Sequence, residues 1–524
     1  MSETKRAFKA AVTIGSFTIL SRFLGLFRDI VIAHFFGARI FADAFFAAFR
    51  IPNLLRRLFA EGALSISFIP VFTDYLENKG RDEAFRMARS GVRLLSLILF
   101  CLTCLGMIFS HELADVLAYG FEDPQAIRLV GTLTRIMMPY IFFISLVALA
   151  MGILNTMGYF AGPAMAPIFL NLCMIGVLVF VSWFDDSEIA RINALAFGVL
   201  LGGIVQLAIQ IPFLLRAGFR FWQHGPIVHP GLRRIGRLML PSVFGAAAYQ
   251  INIFVGIVLA STLAEGSITY LYYADRLVQF PLGIFAMSAA TAILPGLSRQ
   301  AVSHRMAEIE YTVTTAVRQV LFVTLPASFG LILMGRPIVA CLFQRGAFDG
   351  QATQMTADAL TYYALGLCAF SLIRIFVSVF NAFGDTRTPA WTAFASICVN
   401  VGLSLWLMGP LGHGGLALST SLAACFHVVM LLWAFQRKIG SVHWKGVGGA
   451  FIRSLAASLA MGGWLSIMKI HFIPEKMIPT AGHFMILVVC MASGVFVFCI
   501  MGVLLRNREL GQFWRALKKK GIDH

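Results

Sequence analysis

Charged residues are scarce in this chain. Asp, Glu, Lys and Arg together make up 13% of the 524 residues, whereas soluble domains carry about 25%. Hydrophobic residues make up 59%, which excludes an ordinary soluble domain and predicts an all-α polytopic membrane protein. The formal net charge of +17 does not indicate a nucleic-acid partner, because Lys and Arg accumulate on the cytoplasmic loops of membrane proteins.

The chain also lacks the residue patterns of a disulfide-rich protein or an enzyme. Its nine cysteines, an odd number, lie almost all inside apolar runs. We interpret them, including the CxxC pair Cys101 and Cys104, as small apolar residues. The eleven histidines show no metal-ligand spacing, and no GxSxG, HExxH or Walker lysine motif occurs. We therefore expect a protein that is not an enzyme.

Apolar runs of about 17–25 residues, the length that crosses a bilayer as a helix, predict fourteen transmembrane helices. The N-terminal run has a basic flank but no small-residue cleavage site, so we interpret it as a retained first span. Acidic loops alternate with basic loops along most of the chain, which predicts that both termini are cytoplasmic. The predicted spans centre near residues 22, 50, 98, 142, 173, 202, 250, 285, 325, 368, 398, 425, 458 and 492.

An internal repeat relates two halves of this helical array. Pro70 and Pro295 are 225 residues apart in similar segments, and three further pairs are 226 residues apart. We therefore predict two pseudo-symmetric six-helix bundles, residues 1–220 and 221–440, with the cargo site between them. Residues 441–524 add spans thirteen and fourteen and a basic tail. The three further pairs are Asn155 with Asn381, Gly158 with Gly384, and Pro163 with Pro389.

Charged side chains interrupt the first two apolar runs, although each costs about 2.5–3.5 kcal/mol near a bilayer centre on insertion scales. Arg22 and Asp29 are seven residues apart, which predicts one helix face with Gly25 between them. Pro52 is expected to kink the second span. Because arginines outnumber acids here, we predict a cavity for an anionic cargo, and a guanidinium suits the oxygens of a phosphate.

The second half of the chain carries its own intramembrane charges, Asp275 and Arg276 in YYADRLVQFP and Arg374 in span ten. Asp43 and Asp275 are expected to hold arginines in place or to form a gate. The alternative is that the charges are structural ion pairs, or that rim arginines reach the lipid headgroups. The predicted cargo-binding arginines are Arg22, Arg28, Arg56, Arg57, Arg276 and Arg374.

One pair of polar residues is a candidate cation site. Asn381 and Asp385 are one helical turn apart at the inner end of span ten, where their oxygens could bind a cation. The alternative is a polar helix end and a turn before Pro389. Because the chain has no nucleotide site, the energy for transport would come from a monovalent cation, the membrane potential or the cargo gradient.

Three segments carry a resemblance to a known family. They are SRFLGLFRD from Ser21, ADAFFAAFRIPNLLRRLFAEGALSISFIP from Ala42 and YYADRLVQFPLGIF from Tyr272. They resemble the MurJ (MviN) family of lipid II flippases, in the multidrug/oligosaccharidyl-lipid/polysaccharide exporter superfamily. The resemblance implies that Arg22, Arg28, Arg56 and Arg276 are essential cavity residues, that Asp43 lies at the gate, and that Ser21, Glu61 and Asp275 are neighbours.

The family pattern is not followed everywhere. Gln279 stands where relatives often carry Glu, which puts an acidic partner for Arg276 in doubt, and Arg374 stands where a Lys is familiar. Some members of the family bind sodium in the second half, and Asn381 and Asp385 resemble part of that site. Spans thirteen and fourteen are implied to form a groove for a long lipid tail.

The resemblance implies a flippase for lipid II, an undecaprenyl-pyrophosphate-linked disaccharide–peptide, that moves its cargo from the inner to the outer leaflet by alternating access. The cavity arginines would bind the pyrophosphate. The implied location is the bacterial inner membrane, as a multi-pass protein. Lipid II, membrane lipids and other cell-wall synthesis proteins are the expected partners, and neither a cofactor nor nucleic acid is expected.

Two other functions stay open at this point. An ion-coupled exporter of polysaccharide-lipids or drugs would share the superfamily, although a cavity for cationic drugs should be acidic and aromatic. A membrane-embedded glycosyl- or phosphotransferase would need a catalytic acid or base on an extracytoplasmic loop. The acidic segment from Glu112 to Asp123 is the only candidate, and loop charge asymmetry explains it better.

Overall fold

The computed structural model of the protein describes residues 3–56, 64–223, 226, 228–303, 305–440, 444, 446–474 and 480–511. The regular elements in these residues are all helices, and none of these residues forms a strand. The predicted all-α class is therefore confirmed. The chain divides into two compact units, Met1–Ile268 and Thr269–His524.

The described helices of the first unit range from 8 to 34 residues in length. Its described helices are α1 (Glu3–Phe36), α2 (Ile40–Leu55), α3 (Leu64–Asn78), α4 (Arg81–Ile108), α5 (Ser110–Leu117), α6 (Pro124–Met137), α7 (Tyr140–Thr156), α8 (Ala161–Ser182), α9 (Glu188–Arg216) and α10 (Pro230–Ser261).

The second unit follows from α11, which begins at the junction of the two units. Its described helices are α11 (Ser267–Pro281), α12 (Met287–Val302), α13 (Met306–Phe343), α14 (Gly350–Leu365), α15 (Leu367–Ala382), α16 (Arg387–Leu411), α17 (His413–Ile439), α18 (Val447–Phe472) and α19 (Ala481–Leu504), with a π-helical turn at Leu282–Ala286 between α11 and α12.

Several helices begin where the sequence supplies a capping side chain. The Asp123 carboxylate accepts a hydrogen bond from the N–H of Gln125, and Pro124 occupies the first position of α6. Ser187 caps α9, and Asp349 caps α14 in the same way. These side chains satisfy backbone N–H groups that have no partner inside the helix. Local chemistry therefore sets these boundaries.

Membrane-spanning length is present at most of the predicted centres. Ten helical segments in the described residues are long and apolar enough to cross a membrane, and the bent pair α14–α15 makes up to eleven. The predicted centres near residues 22, 50 and 250 also fall on helices, but α1, α2 and α10 do not meet the same test. Charges lie within α1, and α2 has 16 residues. The count of fourteen stays a prediction.

The backbone repeats a turn that the sequence repeat marked. After α7, Gly158 has a φ of 82° and its N–H donates to the carbonyl of Asn155, at 3.1 Å. After α15, Gly384 has a φ of 70° and donates to Asn381, at 2.9 Å. In both turns the next N–H bonds the carbonyl five residues earlier, at 2.8 and 2.9 Å. The repeated Asn and Gly therefore form the same helix-ending turn.

Helix packing repeats as well. In the first unit, α8 and α7 both pack on α9, and α3 packs on α4 and α7. In the second unit, α16 and α15 both pack on α17, and α12 packs on α13 and α15. The equivalent helices therefore make equivalent contacts within each unit. This is the arrangement expected of a duplicated helical bundle.

Helix α10, which the repeat assigned to the second half, packs inside the first unit. Leu232 and Ile235 lie against the core formed by α3, α4 and α7, and Arg234 Nη1 lies 2.5 Å from Asp74 Oδ2. The compact units consequently divide after α10, whereas the predicted divisions at 220/221 and 440/441 follow the repeat. The compact units are defined by contacts in space, whereas the predicted divisions are defined by repetition in the sequence. The divisions at 220/221 and 440/441 therefore stay a prediction.

The two C-terminal helices are attached to the second unit through α13. Both α18 and α19 pack on α13 and on each other. Phe322 of α13 and Phe498 of α19 bring their ring centroids within 5.0 Å, and Met334, Ala457 and Met461 join the same buried cluster. Apolar packing therefore holds the addition in place.

Substituting Gly384 by alanine should destabilise the second unit by about 1–2 kcal/mol, because a side chain disfavours the left-handed conformation. A Cβ at this position meets no atom within 4 Å, so the cost is conformational. Gly402→Ala is the matched control, since Gly402 lies inside α16 and its Cβ also meets nothing. That variant should be as stable as the parent or more so. Thermal unfolding in detergent tests the pair, and equal melting temperatures would contradict the expectation.

Candidate functional site

A buried ion pair lies in α1, in the middle of the first predicted motif. Arg28 is 6% exposed and Asp29 is 0% exposed. Arg28 donates to Asp29 Oδ1 from Nη2 at 2.6 Å and from Nε at 3.1 Å. A charge removed from water needs a partner of opposite charge and further hydrogen bonds. The guanidinium is therefore held in one orientation by its neighbour in the chain.

Asn171 of α8 completes this site from the opposite helix. Its Oδ1 accepts from Arg28 Nη1 at 3.1 Å. Its Nδ2 donates to the backbone carbonyls of Ser21, at 3.3 Å, and of Pro167, at 3.1 Å. The amide thereby joins α1 to α8 and orients the guanidinium. Sequence reasoning missed Asn171, although an amide inside the apolar run IFLNLCMIGVLVF was a signal.

The other predicted residues of α1 have different surroundings. Arg22 is exposed and makes no hydrogen bond or ion pair with the part of the chain that the structure describes, whereas Ser21 is half-buried and Gly25 is buried. Asp29 pairs with the adjacent Arg28 rather than with Arg22, seven residues earlier. Arg22 is thus exposed, whereas Arg28 is buried.

The start of α2 is tied to the segment that follows α10. Asp43 is 2% exposed, and its Oδ2 accepts from the N–H of Gly266 at 2.7 Å. In return, Glu265 Oε1 accepts from the N–H of Ile40 at 2.7 Å. Each carboxylate satisfies a backbone N–H of the other segment, and Glu265 lies where a helix N-terminus favours negative charge. These two bonds are called the α2–α10 latch below.

A close backbone approach lies at the same end of α10. The N–H of Gly120, in the turn between α5 and α6, donates to Ser261 Oγ at 3.1 Å. A Cβ on Gly120 would overlap the backbone of Thr262. Glycine is therefore required by contact here. Loop charges predicted that these turns are extracytoplasmic, and the first unit brings them together.

The second half of α2 carries the remaining predicted residues of the first unit. Pro52 is buried within α2, and Arg56, just after its end, donates to Asn53 Oδ1 from Nη2 at 2.8 Å and from Nε at 3.1 Å. Arg56 is half-buried. Arg57 and Glu61 lie outside the described residues, so their predicted roles stay predictions.

The charged motif of the second unit lies in α11. Asp275 and Arg276 are half-buried, and Gln279 donates from Nε2 to Asp275 Oδ2. The Gln279 amide, one helical turn after Asp275, thus donates a hydrogen bond to the Asp275 carboxylate. A second carboxylate at this position would repel that of Asp275. Arg374 of α15 is exposed, and its side chain makes no hydrogen bond or ion pair among the described residues.

The candidate cation site holds a side-chain ammonium. Lys438 Nζ of α17 lies 2.7 Å from Asp385 Oδ2, which also accepts from Thr388 Oγ1 at 2.9 Å. Partial burial raises the pKa of Asp385, but the hydrogen bonds from Lys438 and Thr388 outweigh it and lower the pKa to about 2. Asn381 is exposed. No cluster of three His, Cys, Asp or Glu side chains occurs among the described residues, and a cation here stays a prediction.

Comparison of the sequence with known protein families identifies the family of this chain. A profile described as "Lipid II flippase MurJ" matches residues 32–489, which is most of the chain. The chain belongs to the MurJ family. A probable lipid II flippase MurJ from Buchnera aphidicola subsp. Schizaphis graminum is 36% identical over 468 residues, covering 89% of this chain and 90% of the relative. The lipid II flippase MurJ of Burkholderia cenocepacia is 34% identical over 478 residues, covering 89% and 90%.

Solved structures agree with this assignment. A lipid II flippase MurJ in an inward closed conformation matches with a TM-score of 0.79 and 27% identity, over 95% of this chain and 99% of that one. An inward-facing multidrug resistance MATE family transporter of the MOP superfamily matches with a TM-score of 0.66 and 14% identity, over 84% and 99%. The second likeness shows the fold alone. This MurJ-family chain is a multi-pass membrane transporter of the MOP fold.

Removing the Asp385 carboxylate in this MurJ-family chain should cost about 2 kcal/mol at pH 7, at about 1.4 kcal/mol per pKa unit. The folded pKa of about 2 lies below the ordinary value of 3.8. The stabilisation is therefore complete above about pH 4 and is lost as the pH falls through about 2. The measurement is thermal unfolding of the parent and of Asp385→Asn at pH 7 and at pH 3. The difference between their melting temperatures should be smaller at pH 3 than at pH 7.

Lys438→Met supplies the matching control, because it removes the other half of the pair. Lys438→Met should lose about as much stability as Asp385→Asn. The double variant should be only slightly less stable than either single variant, since the two substitutions remove one shared interaction. Strictly additive losses of stability in the double variant would contradict an ion pair between Asp385 and Lys438. A difference in melting temperature that does not change with pH would contradict it as well.

Proposed function

We propose that this chain flips lipid II from the inner to the outer leaflet of the bacterial cytoplasmic membrane. Membership of the MurJ family supports the cargo. The observation that carries the chemistry is the guanidinium of Arg28, buried in a membrane helix between Asp29 and Asn171. The oxygen atoms of an anionic cargo need a hydrogen-bond donor of this kind. Because the Arg28 side chain is already ordered, binding does not incur the entropic cost of ordering it.

The pyrophosphate binds by exchange with a carboxylate. Asp29 presents one oxygen to two N–H groups of Arg28, which is the geometry that a phosphate oxygen also accepts. A pyrophosphate competes for these donors while Asn171 keeps the guanidinium in place. Arg22, exposed on α1, and Arg56, half-buried just after α2, provide further positive charge in the same unit. Arg276 provides it in the second unit.

Transport proceeds by alternating access, and the α2–α10 latch closes the extracytoplasmic end. Helix α10 belongs to the second half of the repeat, yet it is bound to α2 and to the α5–α6 turn. Opening that end requires breaking hydrogen bonds from Gly266 and Ile40. The bond to the buried Asp43 carboxylate is worth about 1.5–3 kcal/mol because the acceptor is charged, and the bond to the exposed Glu265 carboxylate is weaker because water screens it. The latch is therefore reversible rather than permanent.

The driving force is the membrane potential or an ion gradient. Lys438 neutralises Asp385, so an added monovalent cation has to compete with a tethered ammonium at that position. An exporter of cationic drugs is the weaker alternative, because the positive charge of these arginines repels such a cargo. Likeness to MATE transporters supports the fold and not that substrate.

Loss of the Arg28 and Arg276 side chains should abolish flipping, because the pyrophosphate loses its donors. The measurement is protection of fluorescent lipid II from a membrane-impermeant quencher in proteoliposomes, for Arg28→Ala, Arg276→Ala and the double variant. Arg28→Lys should also be strongly impaired, since one ammonium cannot replace a planar fork. Arg305→Ala is the control, because its pair with Glu308 is exposed and worth little.

Full flipping by the correctly folded double variant would overturn the role assigned to these arginines. Depletion of the protein in growing cells separates the cargoes. Lysis with lipid II accumulating on the inner leaflet supports the proposal, whereas drug sensitivity without that accumulation supports the exporter.

Adding a methyl group at Gly120 should slow flipping by about 5- to 150-fold, because overpacking costs about 1–3 kcal/mol and the added Cβ overlaps the Thr262 backbone. The closed extracytoplasmic end is then destabilised. In Gly120→Ala, a cysteine introduced at Thr262 should react faster with an impermeant maleimide, as mapped by mass spectrometry. Gly176→Ala, where a Cβ meets nothing within 4 Å, is the control. Unchanged flipping and labelling would contradict a role for the Gly120–Thr262 contact in closing this end.

A further inference from the structure

The first unit contains an apolar cavity that the proposed transport does not use. Its volume is about 180 Å³, somewhat larger than a cavity of about 150 Å³ that takes up benzene. Every side chain that lines it is apolar. They come from α4, α7, α9 and the turn after α9. The cavity is open on one side, where Ile211 is 36% exposed, so an apolar chain can enter it from the bilayer.

The cavity has the shape of a short channel along the helices. Helices α7 and α9 run in the same direction, and each contributes residues at positions i, i+4 and i+7 of one face. Seven residues of helix rise by about 10 Å, so the long axis follows the membrane-spanning direction of both helices. The lining residues on these two faces are Leu146, Ala150 and Ile153, and Leu207, Ile211 and Leu214.

The duplicated unit shows that the fold does not require this space. At the repeat offset of 226, Leu146 corresponds to Leu372 and Ile153 to Val379, which are similar in size. Ala150 corresponds instead to Phe376, which is buried and packs against Phe435 with ring centroids 5.6 Å apart. The second unit therefore fills with an aromatic ring the position that the first unit leaves as alanine.

One end of the channel meets a basic, aromatic turn. Phe221 lines the cavity, and its neighbours Arg220 and Trp222 are exposed. Arg89 Nη1 donates to Gln223 Oε1 at 2.6 Å, and Arg93 Nη2 donates to the Gln223 carbonyl at 2.8 Å. The turn is thus fixed against α4. Tryptophan and arginine at the end of membrane helices are the side chains that contact lipid headgroups.

We propose that this cavity binds one acyl chain of an anionic phospholipid, whose phosphate lies beside Arg220 and the exposed Arg216 at the end of α9. The channel direction fits a chain lying along the membrane normal, and the arginines fit a negative headgroup. Neither Arg28 nor its partners Asp29 and Asn171 line this cavity. It makes α4, α7 and α9 sensitive to lipid composition.

The test uses phosphatidylglycerol with a diazirine in its acyl chain, added to the purified full-length protein in vesicles. Light-induced labels, mapped by mass spectrometry, should fall on peptides of α7 and α9. Ala150→Phe, which copies the second unit, should reduce this labelling at least fivefold while lipid II flipping continues. Ala150→Leu provides a second, smaller filling if the phenylalanine variant does not fold.

Two further arms decide the occupant. Replacing both Arg216 and Arg220 by glutamine should remove the preference for phosphatidylglycerol over a phosphatidylcholine probe. In detergent, phosphatidylglycerol should raise the melting temperature of the parent and not that of Ala150→Phe, because only the parent binds it. Labelling unchanged in both filled variants, equal labelling by the two lipids in the parent, or displacement by polyprenyl phosphate but not by phosphatidylglycerol would each overturn the proposal.

Discussion

The constraint on which the rest of this protein depends is the burial of charge inside membrane helices. A guanidinium in a low-dielectric site is tolerated only where a counter-charge and hydrogen-bond acceptors surround it. Arg28 satisfies that condition through Asp29 on its own helix and Asn171 on α8. Helices α1 and α8 therefore pack closely along a polar contact, and the guanidinium is held in one orientation between them.

The same physics recurs at the helix ends with a different result. The Asp43 carboxylate accepts a hydrogen bond from the backbone N–H of Gly266, and the Glu265 carboxylate accepts one from the backbone N–H of Ile40. Such bonds break at moderate cost, whereas the Arg28 pair is enclosed. In the second unit Asp385 is held by Lys438. The carboxylates thus accept from a guanidinium at Arg28, from backbone N–H groups at Ile40 and Gly266, and from an ammonium at Lys438.

Duplication supplies two copies of one scaffold, and the differences between the copies are informative. The turns at Gly158 and Gly384 are the same because both need a left-handed residue after a helix. Ala150 and Phe376 differ although their surroundings correspond, so one unit has a cavity and the other an aromatic pair. Where a repeat conserves backbone geometry but not side-chain volume, the unfilled copy is the one to examine for a ligand.

The sequence by itself determined the helical class, most of the spans, the repeat and the membrane charges, because hydropathy and turn residues act locally. It also marked Arg28, Asp43 and Asp275. Tertiary structure alone decided the partners. Asp29 pairs with Arg28 rather than Arg22, Asn171 and Glu265 enter from segments more than 140 residues away, and α10 packs with the first unit. These contacts depend on which helix faces are opposed in space, and no local pattern encodes that.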